Sequence, residues 1–143
     1  MKNINKKIIY SILFIAFVAK IVSLNMDKIN DLYLYVRYEV STKDYHKLLT
    51  YQQFLDNKQN IQGIYFGSLQ CPHCVKNIKS INSITDKNKE IYYFMVDFDD
   101  PGNQENLEKF KKRFKFKTIP HIVLLRDEGE KQYTSKDIAE HIK

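Results

Sequence analysis

The chain has 143 residues, 43% hydrophobic and 28% charged, which fits one globular domain and excludes a disordered chain, a collagen-like chain and a large multidomain enzyme. Its two cysteines exclude a disulfide-dense scaffold and a four-cysteine zinc site within one chain. The net charge of +6 is concentrated in Lys2, Lys6, Lys7 and Lys20, ahead of residue 25 where no acid occurs, so the remainder is near neutral and no nucleic-acid partner is expected.

Residues 1–24 read as a signal anchor, that is, an N-terminal transmembrane helix. Lysines precede the uncharged run Ile8–Ala19, and Ile21-Val22-Ser23-Leu24 extends it past Lys20, whose ammonium can snorkel to the interface. A cleaved signal peptide and a buried core helix are the alternatives; for cleavage, Ala19 has Phe17 and Ser23 has Ile21 where a small residue is wanted. The lysines before the span predict a single-pass cell-membrane protein with its domain extracytoplasmic. Residues 25–45 form a stalk for which helix and strand both fit.

Residues 46–143 alternate helix and strand. Thr50-x-x-Gln53 is a capping box opening a helix from Tyr51 to about Lys58, with Phe54 and Leu55 inward. Gln62–Gly67 is a short buried strand. Pro72 to about Thr85 is a helix with Val75, Ile78, Ile81 and Ile84 on one face, and Glu90–Asp97 a strand covered on both faces. Asp99–Gly102 is a turn, and Gln104–Lys112 a helix with Leu107, Phe110 and Phe114 at three- and four-residue steps. Ile122–Leu125 is a buried strand, Asp127–Glu130 a turn and Lys131–Thr134 a hairpin arm, before a last helix capped by Ser135 and anchored by Ile138 and Ile142. The expected fold is α/β, a mixed central sheet with helices on both faces. Strands separated by helices run parallel, and the last two antiparallel.

Cys71-Pro72-His73-Cys74 lies where a strand ends and a helix begins. Cys71 is then at the N-cap with Pro72 at the first helical position, and the free amides and helix dipole favour a Cys71 thiolate. Cys74 is one turn on, within disulfide reach and more buried. This asymmetry makes Cys71 the attacking sulfur and Cys74 the resolving one, with His73 favouring the anion further. A stabilised thiolate makes the disulfide the better oxidant, so donating disulfides is favoured over reducing them. A zinc site, drawing on His73 and His121 or on His46 and His141, and an inert structural pair are the alternatives. No resident metal is expected, and no cofactor beyond the redox-active Cys71–Cys74 disulfide. Thr118-Ile119-Pro120 opens a central strand with a proline, which either a cis bond or an ordinary trans strand start explains. In the cis geometry, the Ile119 backbone faces outward to pair an extended substrate.

Phe66-Gly67-Ser68-Leu69-Gln70-Cys71-Pro72-His73-Cys74, Val96-Asp97-Phe98-Asp99 and Thr118–Leu125 together resemble a thioredoxin-like protein over about residues 46–143. The Cys-Pro-His-Cys sequence is similar to that of bacterial periplasmic disulfide oxidases. The short form behind an anchor looks like the bacteriocin transport accessory proteins of Gram-positive bacteria. The resemblance implies an extracytoplasmic thiol–disulfide oxidoreductase with Cys71 as nucleophile, Cys74 resolving, and Pro120 in cis. Its partners would be an exported cysteine-containing peptide or protein and a membrane redox partner that recycles the cysteines. A non-catalytic accessory that binds an exported peptide or a secretion complex is the alternative. Two positions depart from the family: Gln70 replaces the tryptophan before the first cysteine, and Tyr65 replaces the buried acid six residues before it.

Lys109–Lys117 interleaves basic residues with phenylalanines, but reads first as a solvated helix face with Glu105–Lys109 and Glu108–Lys112 pairs, and second as a contact for anionic lipid or an acidic partner. Asp97, Asp99 and Asp100 read as a surface turn, and His121 as flanking the substrate groove or packing near Cys71.

Overall fold

The computed structural model describes residues 6–85, 90–126 and 129–141. Asp127, Glu128 and Ile142, read above as turn and core positions, lie outside them. The elements are α1 (Lys6–Thr42), β1 (His46–Lys47), α2 (Tyr51–Asn57), β2 (Gly63–Gly67), α3 (Pro72–Lys76), α4 (Ile78–Thr85), β3 (Ile91–Met95), α5 (Pro101–Phe114), β4 (His121–Arg126), β5 (Gly129–Tyr133) and α6 (Ser135–Glu140). Two compact units divide between Leu34 and Tyr35.

In the first unit, α1 is long and apolar enough to cross a membrane. Its apolar side chains from Ile8 to Leu24 are exposed. Two of its polar side chains bond back to the helix, Ser23 Oγ to the Lys20 carbonyl at 2.9 Å and Asn25 Nδ2 to that of Ile21 at 2.8 Å. The stretch that admitted helix or strand is helical as far as Thr42.

The second unit is built on a five-stranded sheet in the order β1-β3-β2-β4-β5. β1, β3 and β2 are parallel, while β4 runs antiparallel to β2 and β5 antiparallel to β4. Along each strand successive side chains face opposite sides. Ile64, Phe66, Phe94 and Val123 enter a core with Phe54 of α2 and Leu107, Phe110 and Phe114 of α5. Tyr65, Tyr93, Ile122 and Leu124 point the other way, where α4 and α6 supply the buried Ile78, Ile81, Ile84 and Ile138. The sheet is therefore mixed, with helices on both faces, as expected.

Several local expectations are corrected. β4 follows a helix yet is antiparallel, because α5 ends at Lys115 in the left-handed region (φ 57°) and the next residues return the chain so that His121 pairs with Phe66. Phe116 anchors that return, its ring 4.7 Å from that of Phe66. β1 is an extra edge strand too short to show a pattern. The helix expected over residues 72–85 breaks at Asn77 (φ −98°, ψ 16°), whose amide side chain bonds the His73 carbonyl. Asp99–Gly102 is not a free turn: Asp100 caps α5 by accepting from the Gly102 amide at 2.8 Å, and Pro101 takes its first position. Thr134, not Ser135, caps α6, with Asp137 completing the capping box. Leu55 is exposed where Phe54 alone is inward, and Met95 leaves β3 exposed at one end.

Candidate active site

β2 delivers the chain into the loop Ser68-Leu69-Gln70, which is held at both sides. The Gln70 amide donates to Ser68 Oγ at 3.1 Å, and Gln70 Nε2 donates to Asp99 Oδ2 at 3.2 Å. Cys71 then caps α3 with extended backbone (φ −99°, ψ 106°), and its Sγ accepts from the Cys74 amide at 3.3 Å. Pro72 follows at the first helical position, where no donor is wasted. Cys71 is 9% exposed, Cys74 fully buried, and both are free thiols.

The two sulfurs are pushed in opposite directions. Cys71 is lowered to about 6, first by the Cys74 side chain donating to it, then by the backbone amides of Cys74 and His73 and the charge of His73. Because α3 has only five residues, this stabilisation comes from individual donors at the cap more than from a long helix dipole. The Cys74 thiol is pushed far up by burial, then by proximity to Cys71; the Ser68 backbone and the Tyr65 hydroxyl pull the other way. At neutral pH the pair is thus one thiolate beside one thiol, which is the state that attacks a disulfide.

The antiparallel entry of β4 brings residues 118–120 to this point. The Ile119–Pro120 bond is cis, and the Ile119 carbonyl lies 3.8 Å from Cys71 Sγ. The Pro120 carbonyl accepts from Ser135 Oγ at 2.9 Å, and Thr118 Oγ1 lies 3.4 Å from the same hydroxyl, so the first residue of α6 braces the loop. Thr118 is exposed, Ile119 half-buried and Pro120 buried. His73 is exposed beside Cys71. His121 instead is 3% exposed, stacked on Phe116 at 4.5 Å with Nε2 3.0 Å from Gln132 Oε1, and burial lowers its pKa. Asp97 and Asp100 are occupied with backbone amides, those of Asp99 and Gly102.

One feature escaped the motifs. Tyr65 is fully buried, and its hydroxyl lies 2.8 Å from that of Tyr38, which lies 2.9 Å from that of Tyr93. The Tyr65 and Tyr93 rings stack at 5.1 Å. Gly67 makes the room: a Cβ there would sit 2.2 Å from Tyr65 Oη and 2.6 Å from Tyr38 Oη. The signal for Tyr65 was its position; Tyr38 gave none, because its segment had no legible period.

No protein-family model matches the chain, and no curated protein sequence does. Among solved structures it is similar to a malarial protein, with 23% identity over 57% of this chain and 96% of that one and a TM-score of 0.33. It is also similar to a thioredoxin from Thermus thermophilus, with 18% identity over 68% of this chain and 81% of that one and a TM-score of 0.39.

Proposed function

We propose that the protein is a thiol–disulfide oxidoreductase in which Cys71 exchanges disulfides with substrate and Cys74 resolves the mixed disulfide. The observation that carries this reading is the placement of Cys71 at the cap of α3, its Sγ accepting from the Cys74 amide at 3.3 Å, with the buried Cys74 thiol one turn away; these neighbours lower Cys71 to about 6. In disulfide donation, a substrate thiolate attacks Cys71 of the Cys71–Cys74 bond and Cys74 leaves; a second substrate thiol then displaces Cys71 from the mixed disulfide. The stable Cys71 thiolate favours this direction over reduction. Ile119 and Pro120, with Thr118 at the rim, would hold the substrate backbone beside Cys71, and His73 would support the anion.

With α1 as a single-pass cell-membrane anchor and the domain extracytoplasmic, the substrates would be exported cysteine-containing peptides or proteins, bacteriocin-like peptides among them. A membrane redox partner would reoxidise the pair.

Full-length protein in detergent, reduced and then equilibrated in glutathione buffers, tests this. Oxidised protein should form a disulfide in a reduced dithiol peptide, Cys71→Ser should abolish the transfer, and reduced Cys74→Ser, whose Cys71 attacks the disulfide of the oxidised peptide, should accumulate the mixed disulfide. Activity that survives Cys71→Ser would defeat the proposal. A reduction potential near about −120 mV supports donation, and one near about −270 mV supports reduction.

A further inference from the structure

Cys74 has no direct route to water, yet the proposed cycle makes it gain and lose a proton. Whenever the Cys71–Cys74 bond opens, Cys74 departs as a thiolate, and burial makes that charge costly. Behind it stands a chain of hydroxyls. Tyr65 and Cys74 are both fully buried, and hydrogen bonding from the Tyr65 side chain pulls the Cys74 thiol down against its burial. Tyr65 Oη meets Tyr38 Oη at 2.8 Å, and Tyr38 Oη meets Tyr93 Oη at 2.9 Å. Tyr93 borders two surface cavities of about 430 and 480 Å³, which share Lys47 and Met95 in their walls. A phenol donates one hydrogen bond, so Tyr38 can donate to only one of its two neighbours and must accept from the other. Two of the resulting orders are head-to-tail chains of opposite direction. With Cys74 protonated and Cys71 held in the mixed disulfide, so that no Cys71 thiolate takes the thiol's one proton, donation runs from the thiol outward, through Tyr65 and Tyr38 to Tyr93 and water. With Cys74 ionised, it runs inward from Tyr93 to Tyr38 to Tyr65 to sulfur. Reversing the chain is equivalent to moving one proton along it.

We propose that Tyr65, Tyr38 and Tyr93 form a proton relay between Cys74 and solvent, with Tyr65 acting directly on the sulfur and Tyr38 and Tyr93 acting through it as positioning residues. This rests on the thiol–disulfide reading above. When a substrate thiolate attacks Cys71, the Cys71–Cys74 bond breaks, the Cys71–substrate bond forms and the Cys74 thiolate takes a proton from Tyr65. Tyr65 is refilled from Tyr38, Tyr38 from Tyr93 and Tyr93 from water. In the reverse direction Cys74 attacks the mixed disulfide, its proton leaves by the same path, and the expelled substrate thiolate is protonated by water. No phenolate need form, in keeping with burial pushing both Tyr65 and Tyr93 up. The titratable groups facing Cys74 are Cys71 from the motif, Tyr65 from β2, Tyr93 from β3 and Tyr38 from α1.

The reduced full-length protein in detergent, mixed rapidly with an aromatic disulfide such as 5,5′-dithiobis(2-nitrobenzoate), releases one coloured thiolate on attack by Cys71 and a second when Cys74 resolves the mixed disulfide. Tyr65→Phe, Tyr38→Phe and Tyr93→Phe should leave the first release unchanged, slow the second about ten-fold or more, and move its pH profile upward. Tyr45→Phe is the control for packing. Its ring stands edge-on to Tyr65 and Tyr93, but its hydroxyl bonds Asn82 and Thr85, and the second release should be unaffected. Slowing by Tyr65→Phe with Tyr38→Phe and Tyr93→Phe unaltered would overturn the relay and leave a lone donor. Equal slowing by Tyr45→Phe would also overturn it. A first release that persists in Cys71→Ser would instead overturn the redox reading, and the relay with it.

Discussion

Cys71 shows how far a cysteine can be moved by its neighbours alone. Its pKa of about 6 is attributed first to the Cys74 thiol. Iodoacetamide labelling of the full-length protein should therefore follow a pH curve with its midpoint near 6, and Cys74→Ala should move that midpoint upward; an unshifted curve would remove Cys74 from the cause. The folded value lies below the roughly 8.5 of a free cysteine, so the thiolate stabilises the reduced fold above about pH 8.5. That contribution is lost as pH falls through 6. Reduced protein should thus lose thermal stability over this window more than the Cys71→Ser variant does. Spacing and the Pro72 position made the cysteine pair legible in sequence, because a cap is a local structure. The tyrosine chain was not, since Tyr38, Tyr65 and Tyr93 lie far apart in sequence and meet only through sheet register and helix packing.

At the scale of elements, α5 shows the link from pattern to packing. Leu107, Phe110 and Phe114 fall on one face and all are buried, Phe110 against Phe66 at 5.2 Å and Phe94 at 5.0 Å. The lysines take the other face, with Lys109 bridging Glu105 at 2.8 Å as its spacing suggested, and Lys111, not Lys112, pairing with Glu108 at 2.7 Å. Such exposed pairs contribute little to stability, while Phe110→Ala should cost about 3–5 kcal/mol in denaturant unfolding. Thr134→Ala, which removes the cap of α6 and loosens the element bracing the Pro120 loop, should cost about 1 kcal/mol. Periodicity found α5, β2 and the aromatic half of β3, where one face decides burial. It missed the break at Asn77, which a single side-chain bond to the backbone makes inside an unbroken apolar pattern. It also missed the antiparallel entry of β4, a matter of how a six-residue connection is routed.

For the molecule as a whole, the unit boundary inside α1 matters more than the end of the apolar run. Tyr38 is fully buried, and its hydroxyl joins those of Tyr65 and Tyr93. A soluble fragment cut at residue 46, the obvious choice from sequence, discards it. A fragment of residues 29–143 should unfold at a clearly higher temperature than one of residues 46–143, by the several kcal/mol that a large buried aromatic contributes. Equal melting temperatures would show that Tyr38 is dispensable to the fold. Fold class was legible because strand and helix patterns alternate over most of the chain. The role of residues 35–42 was not, since one inward ring per two turns leaves no periodic trace.

The chain has ten tyrosines and no tryptophan. Two of those rings, Tyr65 and Tyr93, stack at 5.1 Å in the asymmetric interior of the domain. If the proposed exchange at Cys71 and Cys74 occurs, near-ultraviolet ellipticity and phenol emission become native gauges of it: no indole signal masks them, and a label-free optical trace would follow it in an unmodified sample.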